Sequence, residues 1–326
     1  MRISRWIQGR ENNTCPRPFR LPVWIAFLVL LAITGPVSAA ALWPITNTTG
    51  ALEDAISHAA PGDIIVLGPG TYFANNITIS KNITITANTA IGGNQSNTIL
   101  DGQSRGNILF VGTPGISVVI DNLTFQNGNS EVAGAIANAG NLRVTSSSFT
   151  NCSAGNGGAI ASTGDLTITS STFTNCEAVG GSGGAILNAA TLSITSSTFT
   201  NCSGIGGAIG NAGYVNVTSS TFANCRAEDG GAGAILNIAT VSIRSSTFTN
   251  CQAAGGSGGA ILNYNSSVLS ITSSTFANCS ARDGGGAIRT NHGSVLSITS
   301  STFTDCQSTG DSGGAILNAG MLSMTS

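Results

Sequence analysis

The sequence predicts an all-β protein, a right-handed parallel β-helix (β-solenoid) with a short N-terminal capping helix. Three observations carry that prediction. The chain has 326 residues, of which only 8% are charged and 43 are glycine, where an ordinary soluble domain carries roughly 25% charge. Its apolar residues nevertheless recur at fixed places, which a disordered chain would not show. Phenylalanines fall at 125, 149, 173, 199, 222, 248, 276 and 303, in steps of 24, 24, 26, 23, 26, 28 and 27. A fixed period of this size is the mark of stacked repeats.

Residues 1–41 read as a signal peptide or N-terminal anchor. Arg2, Arg5, Arg10, Arg17 and Arg20 precede the apolar run 23–33, and Gly35-Pro36 and Val37-Ser38-Ala39 follow. Positive, apolar, then small-x-small is the order of a cleavable signal, and a mature N-terminus between Ala39 and Leu42 is expected. The stretch 21–43 is also nearly long enough to span a bilayer, so an uncleaved anchor stays open, and N-terminal sequencing separates the two. Either way the rest of the chain is expected to be secreted or at the cell surface, extracellular or in an outer membrane.

Residues 42–124 read as an N-terminal cap and irregular first coils. Leu52, Ala55, Ile56 and Ala59 fit one helical face, with Glu53 and Asp54 at the favourable end of the helix dipole. Pro61-Gly62 stops the helix. Ile64–Leu67, Ile77/Ile79, Ile83/Ile85, Ile99-Leu100 and Ile108–Phe110 follow as strand-like runs. A helix over the open end of a stack would cover a sheet edge that otherwise invites aggregation.

Residues 125–326 read as eight regular repeats. In one of them, Leu192 and Ile194 alternate with Ser193 and Thr195, the period of a strand with one buried face. Ser196-Ser197 makes a corner, Thr198-Phe199-Thr200 a second strand with Phe199 inward, Gly183-Gly184 a turn, and Ala185–Asn188 a third strand. Segments such as Glu177–Ser182 and Arg226–Gly230 vary in length and read as one tolerant loop. A coil cannot fold alone. Four buried side chains at ~2 kcal/mol contribute about 8 kcal/mol, against roughly 1–2 kcal/mol of backbone entropy for each of some 25 residues. Stacking closes the gap, and eight coils about 4.8 Å apart make a shaft of roughly 38 Å. The chain stops at Met324-Thr325-Ser326, before the next Ser-Thr-Phe is due, so a truncated repeat array is expected.

Stacking sets like residues over like. Phe149, Phe173, Phe199, Phe222, Phe248, Phe276 and Phe303 form one expected column. Asn138, Asn188, Asn211, Asn237, Asn263 and Asn318 stand two residues after the repeat Ile, with Ser162 and Thr290 in the remaining coils. They read as an amide ladder or as turn-forming residues without lateral bonds. Cys152, Cys176, Cys202, Cys225, Cys251, Cys279 and Cys306 each follow a repeat Phe by three. Cα atoms about 4.8 Å apart would allow disulfides, but parallel side chains hinder the ~90° S–S torsion. A buried thiol column, inter-coil disulfides and soft-metal binding all stay open, the first favoured because free Cys is a good small filler.

At this point the residues resemble known families. The run Ala55-Ile56, Gly62–Val66, Pro69-Gly70-Thr71-Tyr72, Lys81–Ile85 and Thr98–Gly102 looks like the opening of pectin-lyase-like β-helix proteins. The repeats resemble those of chlamydial-type polymorphic outer-membrane proteins, marked by Gly-Gly-Ala-Ile and Phe-x-x-Asn. Here the second mark departs: Asn stands two after Phe, as at Asn175 and Asn201, and Cys takes the third place. The resemblance implies the β-helix fold, and that fold hosts lyases, adhesins and inert shafts alike.

The chemistry of the residues narrows this. A net charge of −2 gives no basic face, so nucleic acid is excluded as a partner. Pectinolytic relatives imply clustered aspartates, yet Asp101, Asp121, Asp165, Asp229, Asp283, Asp305 and Asp311 fall at different coil positions. Asp229 and Asp283 share a loop with Arg226 and Arg282 and read as solvated charge. Asp101-Gly102 reads as a turn. Gly180–Gly184 and Gly255–Gly259 mimic the start of a calcium-binding repeat, but Ala185 and Ala260 stand where the ligand Asp belongs. The two histidines, His58 and His292, are far apart. Eleven Asn-x-Ser/Thr sequons, Asn76, Asn82, Asn122 and Asn265 among them, mark glycans only in a host that glycosylates exported proteins. No catalytic residue, cofactor or metal is therefore expected. The expected function is an exported, non-catalytic surface or adhesin-like shaft whose partners are host or cell-surface glycans or proteins. It would meet a membrane only through its N-terminal segment or a missing C-terminal anchor. The alternative is a polysaccharide-active, pectate-lyase-like β-helix enzyme.

Overall fold

A computed structural model describes residues 40–326 except Asp311. Residues 1–39, on which the expected signal peptide or anchor and Cys15 fall, lie outside the described residues. Among those described, no helix is long and apolar enough to cross a membrane.

The two-residue alternation of each repeat produces strands that pair only with their counterparts in the coils before and after. All pairings are parallel and in register: Leu192 lies against Leu166 and Val215, Phe199 against Phe173 and Phe222, Ile186 against Ile160 and Ile209. The result is an all-β solenoid of about 11 turns, consistent with a right-handed β-helix. The eight regular coils of the sequence reading are thus preceded by turns built from residues 42–124. Three long sheets run its length. Sheet I has twelve strands, from Leu42–Ile45 to Met321–Thr325. Sheet II has ten, from Gly70–Phe73 to Thr302–Thr304, and sheet III ten, from Ile77–Ile79 to Ile316–Asn318.

One expectation needs correction. Each coil was read as three strands, with the variable segment a loop, but that segment opens with a short strand of its own. Asn129–Val132, Ser153–Asn156 and Glu177–Ala178 pair in one small sheet, and Arg226–Ala227, Gln252–Ala253, Ser280–Ala281 and Gln307–Ser308 in another. Bridges at Ser203 join the two. The cause is a small inward residue, buried alanine at Ala154, Ala178, Ala227, Ala253 and Ala281 and Ser130, Gly204 or Ser308 in the other coils, which fits under the strand as it turns. The chain therefore runs from sheet I to II to this fourth sheet to III.

Two corners are made by single left-handed residues. Ser146, Ser170, Ser196, Ser219, Ser245, Ser273 and Ser300 have φ between 46° and 51° and turn the chain from sheet I into sheet II. Asn151, Asn175, Asn201, Asn224, Asn250 and Asn278, at 51° to 54°, turn it out again. Asn tolerates this region because its short amide bonds locally. Serine does so less readily. At the turn into sheet III, Gly183 has φ 72°, and a Cβ on Gly184 would stand 2.3 Å from the carbonyl oxygens of Gly207 and Ser203. Coils approach too closely there for any side chain.

The cap is the helix Ala51–His58, which buries Leu52, Ala55 and Ile56 in the same core as the coils. Lys81, from the second strand layer, closes its C-terminus by donating from Nζ to Ser57 O at 3.0 Å and Ala59 O at 2.8 Å. Asp63, 5% exposed, accepts from Trp43 Nε1, Ala41 N and Ala60 N, each at 2.8 Å. Those bonds, the Trp43 indole first and the two backbone amides next, hold its carboxyl below the ordinary aspartate value, with Lys81 adding to them.

Candidate functional site

The ordered polar groups of this protein lie mostly in columns. Inside sheet II the rings of Phe125 to Phe303 stack with centroids 4.7–5.0 Å apart, and successive planes from Phe149 to Phe276 tilt by only 2–4°. Neighbouring strands usually rotate by roughly 20–25°. Stacking and side-chain ladders are what hold a sheet flatter than that, and this protein has both.

The Asn residues after the repeat Ile line the turn from sheet III to sheet I. Asn188 Nδ2 donates to Asn211 Oδ1 at 2.9 Å, Asn211 to Asn237 at 2.9 Å and Asn237 to Asn263 at 2.8 Å. Lower down, Asn138 donates to Ser162 Oγ at 2.8 Å. The upper end is irregular: Asn263 Oδ1 accepts from Ser267 at 2.6 Å, and Thr290 Oγ1 and Asn318 Oδ1 have no partner. The cysteines lie beside the Phe stack, buried as free thiols except Cys306, which is half-buried. Each S–H reaches the carbonyl of the Phe one coil back, as from Cys202 to Phe173 O at 3.7 Å and from Cys225 to Phe199 O at 3.6 Å. Burial first, and the adjoining thiols Cys176 and Cys225 next, push the Cys202 thiol well up. Its neighbours Cys176 and Cys225 are shifted the other way, by the hydrogen bonds they share along the column.

Two further columns went unread in the sequence. Ser147, Ser171, Ser197, Ser220, Ser246, Ser274 and Ser301 each accept a backbone N–H from the coil before, at 3.1–3.2 Å. Each hydroxyl also donates to the carbonyl two residues earlier, as Ser197 does to Thr195 at 2.9 Å. This clamp fixes the left-handed serine beside it. The doubled Ser-Ser was the available signal, but two identical residues do not reveal which one turns inward. An exposed amide ladder runs through Asn151, Asn175 and Asn201 at 3.1–3.2 Å and from Asn224 to Asn250 at 3.1 Å.

Asp101 and Asp121 lie on strands of different sheets. Asp101 ends a strand of sheet II and is occupied by Gln103 N and Gln126 Nε2 at 2.8 Å and by Asn127 Nδ2. Asp121 ends a strand of sheet I and accepts from Thr86 Oγ1 at 3.2 Å. Asp283 pairs with Arg282 at 3.8 Å, both exposed, and Arg226 pairs with Glu228 at 2.7 Å. Asp311 lies outside the described residues. Among those described, no group of three His, Cys, Asp or Glu is arranged around a metal position. His292 sits in an exposed turn before Gly293. A groove over the fourth sheet is lined by Glu177, Val179, Ser203, Ile205, Glu228 and Asp229, which brings three acidic residues to one side.

A family model described as "right handed beta helix region" matches residues 107–276 and 157–321. The chain belongs to that family. No curated protein matches it. Among solved structures it is similar to an alginate lyase from a Paenibacillus species, at 14% identity and TM-score 0.54, covering 85% of this chain and 99% of that one. It is also similar to PfbA, a surface adhesin of Streptococcus pneumoniae, at 12% identity and TM-score 0.42, covering 84% and 86%. A PL6 family alginate lyase, AlyGC, matches at 15% identity and TM-score 0.39, covering 89% of this chain and 40% of that one. At these identities the likeness is one of fold.

Proposed function

We propose that this is an exported, non-catalytic β-helix shaft, a surface or adhesin-like protein that presents its variable loops to a glycan or protein partner at a cell surface. The observation that supports this most is where its polar groups go. The fixed Asn, Ser and Cys side chains are largely spent on their neighbours in the stack, and Asp101 and Asp121 sit on different sheets. A carboxylate pair must converge within several ångströms to act as acid and base. Coil length varies in the segment between the fourth sheet and sheet III and, in two coils, at the turn from sheet III to sheet I before Val268 and Val295, where insertion leaves the core untouched. The repeat resemblance to chlamydial-type outer-membrane proteins points the same way.

The competing reading is a polysaccharide-active enzyme, for which the likeness to alginate lyases is a likeness of fold. An assay on polygalacturonate and related acidic glycans, with calcium, discriminates. No turnover is expected. Turnover that disappears in Asp101→Ala or Asp121→Ala would overturn the shaft reading.

A further inference from the structure

The outward face of sheet II is a second kind of surface. Either side of each inward Phe, one residue points out. Before the Phe the column reads Thr124, Ser148, then Thr at 172, 198, 221, 247, 275 and 302, paired in register. After it, the column reads Gln126, Thr150, Thr174, Thr200, Ala223, Thr249, Ala277 and Thr304. No charged residue stands in either column from Thr124 to Thr304.

Sheet I also carries an outward Thr column, Thr145, Thr169, Thr195, Thr218, Thr272 and Thr299, but Arg244 interrupts it. Outward positions of sheet I carry Arg143, Asn216 and Arg244 among Ser and Thr. Those of sheet III carry Ala161, Leu187, Gly210 and Arg289. β-Propensity alone would accept Val or Ile as readily as Thr. Among the described residues, Thr198, Thr200, Thr221, Thr247 and Thr249 make no side-chain hydrogen bond within the chain, whereas Thr172 donates to Ser148 at 3.1 Å. The rings beneath it stack nearly parallel from coil to coil, at 2–4°.

The face is therefore a neutral grid of methyl and hydroxyl groups. It repeats every 4.7 Å along the shaft, the step of the rings beneath, and by roughly 6.7 Å, two residues, along each strand. It has no pocket and no aromatic anchor of the kind that carries affinity for a single ligand. A grid of equal, weak contacts binds well only to a partner that repeats at matching distances, so that many contacts form together. Hexagonal ice exposes a short and a long repeat close to these two. Thr methyls exclude loose water while the hydroxyls hold water in ordered positions. We propose that the sheet II face binds ice crystals. The proposal does not depend on what the variable loops bind.

The test uses the purified full chain. Expected are faceted ice crystals, a freezing point held below the melting point, and enrichment of the protein in slowly grown ice. The double variant Thr198→Lys/Thr247→Lys should lose this by about tenfold or more. Ser193→Lys/Ser242→Lys, on sheet I of the same coils, should retain it, both variants having the parent's circular dichroism. Three results would each overturn the proposal: folded parent protein that neither shapes ice nor enters it, equal loss in both variants, or adsorption to microcrystalline cellulose or chitin without adsorption to ice.

Discussion

At the scale of single residues, inward and outward neighbours should differ sharply. Phe199 is fully buried between two rings, so Phe199→Ala should cost about 3–5 kcal/mol. Thr200→Ala, one residue on and facing out, should cost less than about 0.5 kcal/mol. Denaturant unfolding of the two variants checks the pair, and equal effects would mean the faces are assigned wrongly. The thiols give a second residue-scale prediction. In the native protein Cys306, the half-buried member of the column, should react with an alkylating agent first, and the six deeper thiols only on unfolding. After unfolding without reductant all seven should react. A single reactive thiol would mean three disulfides.

At the scale of elements, the cap is where pH should act. The carboxyl of Asp63 ties Trp43 and Ala41 of the first strand to Ala60 after the helix. Its folded value lies below the ordinary one, so its contribution is fully present above the unfolded value of ~4. That contribution is lost as pH falls through the folded value. Stability measured from pH 6 downwards should decline in this window, and Asp63→Asn should be less stable at neutral pH and flatter below it. The cap helix was legible in the sequence because Leu52, Ala55, Ile56 and Ala59 keep a helical period and Pro61-Gly62 ends it. The three long sheets were legible because each strand carries one or two large apolar residues at a steady spacing. The fourth sheet was not, because a strand of two residues with one small inward residue leaves no period to read. The serine clamp and the Thr face were hidden for a related reason. In so repetitive a chain every position recurs, so recurrence alone cannot separate what holds the fold from what meets a partner.

At the scale of the molecule, the shaft is a one-dimensional stack in which each coil touches only its neighbours. Removing one whole period should therefore leave a sound protein. Deletion of residues 175–200 joins Thr174 to Asn201 and brings Phe173 against Phe222, two rings that already share a column. The shortened chain should keep its β-helical circular dichroism and unfold cooperatively, with an m-value reduced by roughly a tenth. Deletion of residues 175–187, half a coil, would set sheet II strands over sheet III positions and should abolish cooperative unfolding.

The near-identity of the stacked blocks has a genetic side. Two stretches of gene encoding Ser-Ser-Thr-Phe-Thr-Asn-Cys are similar enough to recombine unequally. A crossover between them removes or adds whole coils without breaking the reading frame. Each such event changes the rod by one 4.7 Å step and leaves every interface of the kind already present. Length in this lineage should therefore drift faster than sequence, and closely related strains should differ first in how many coils they carry.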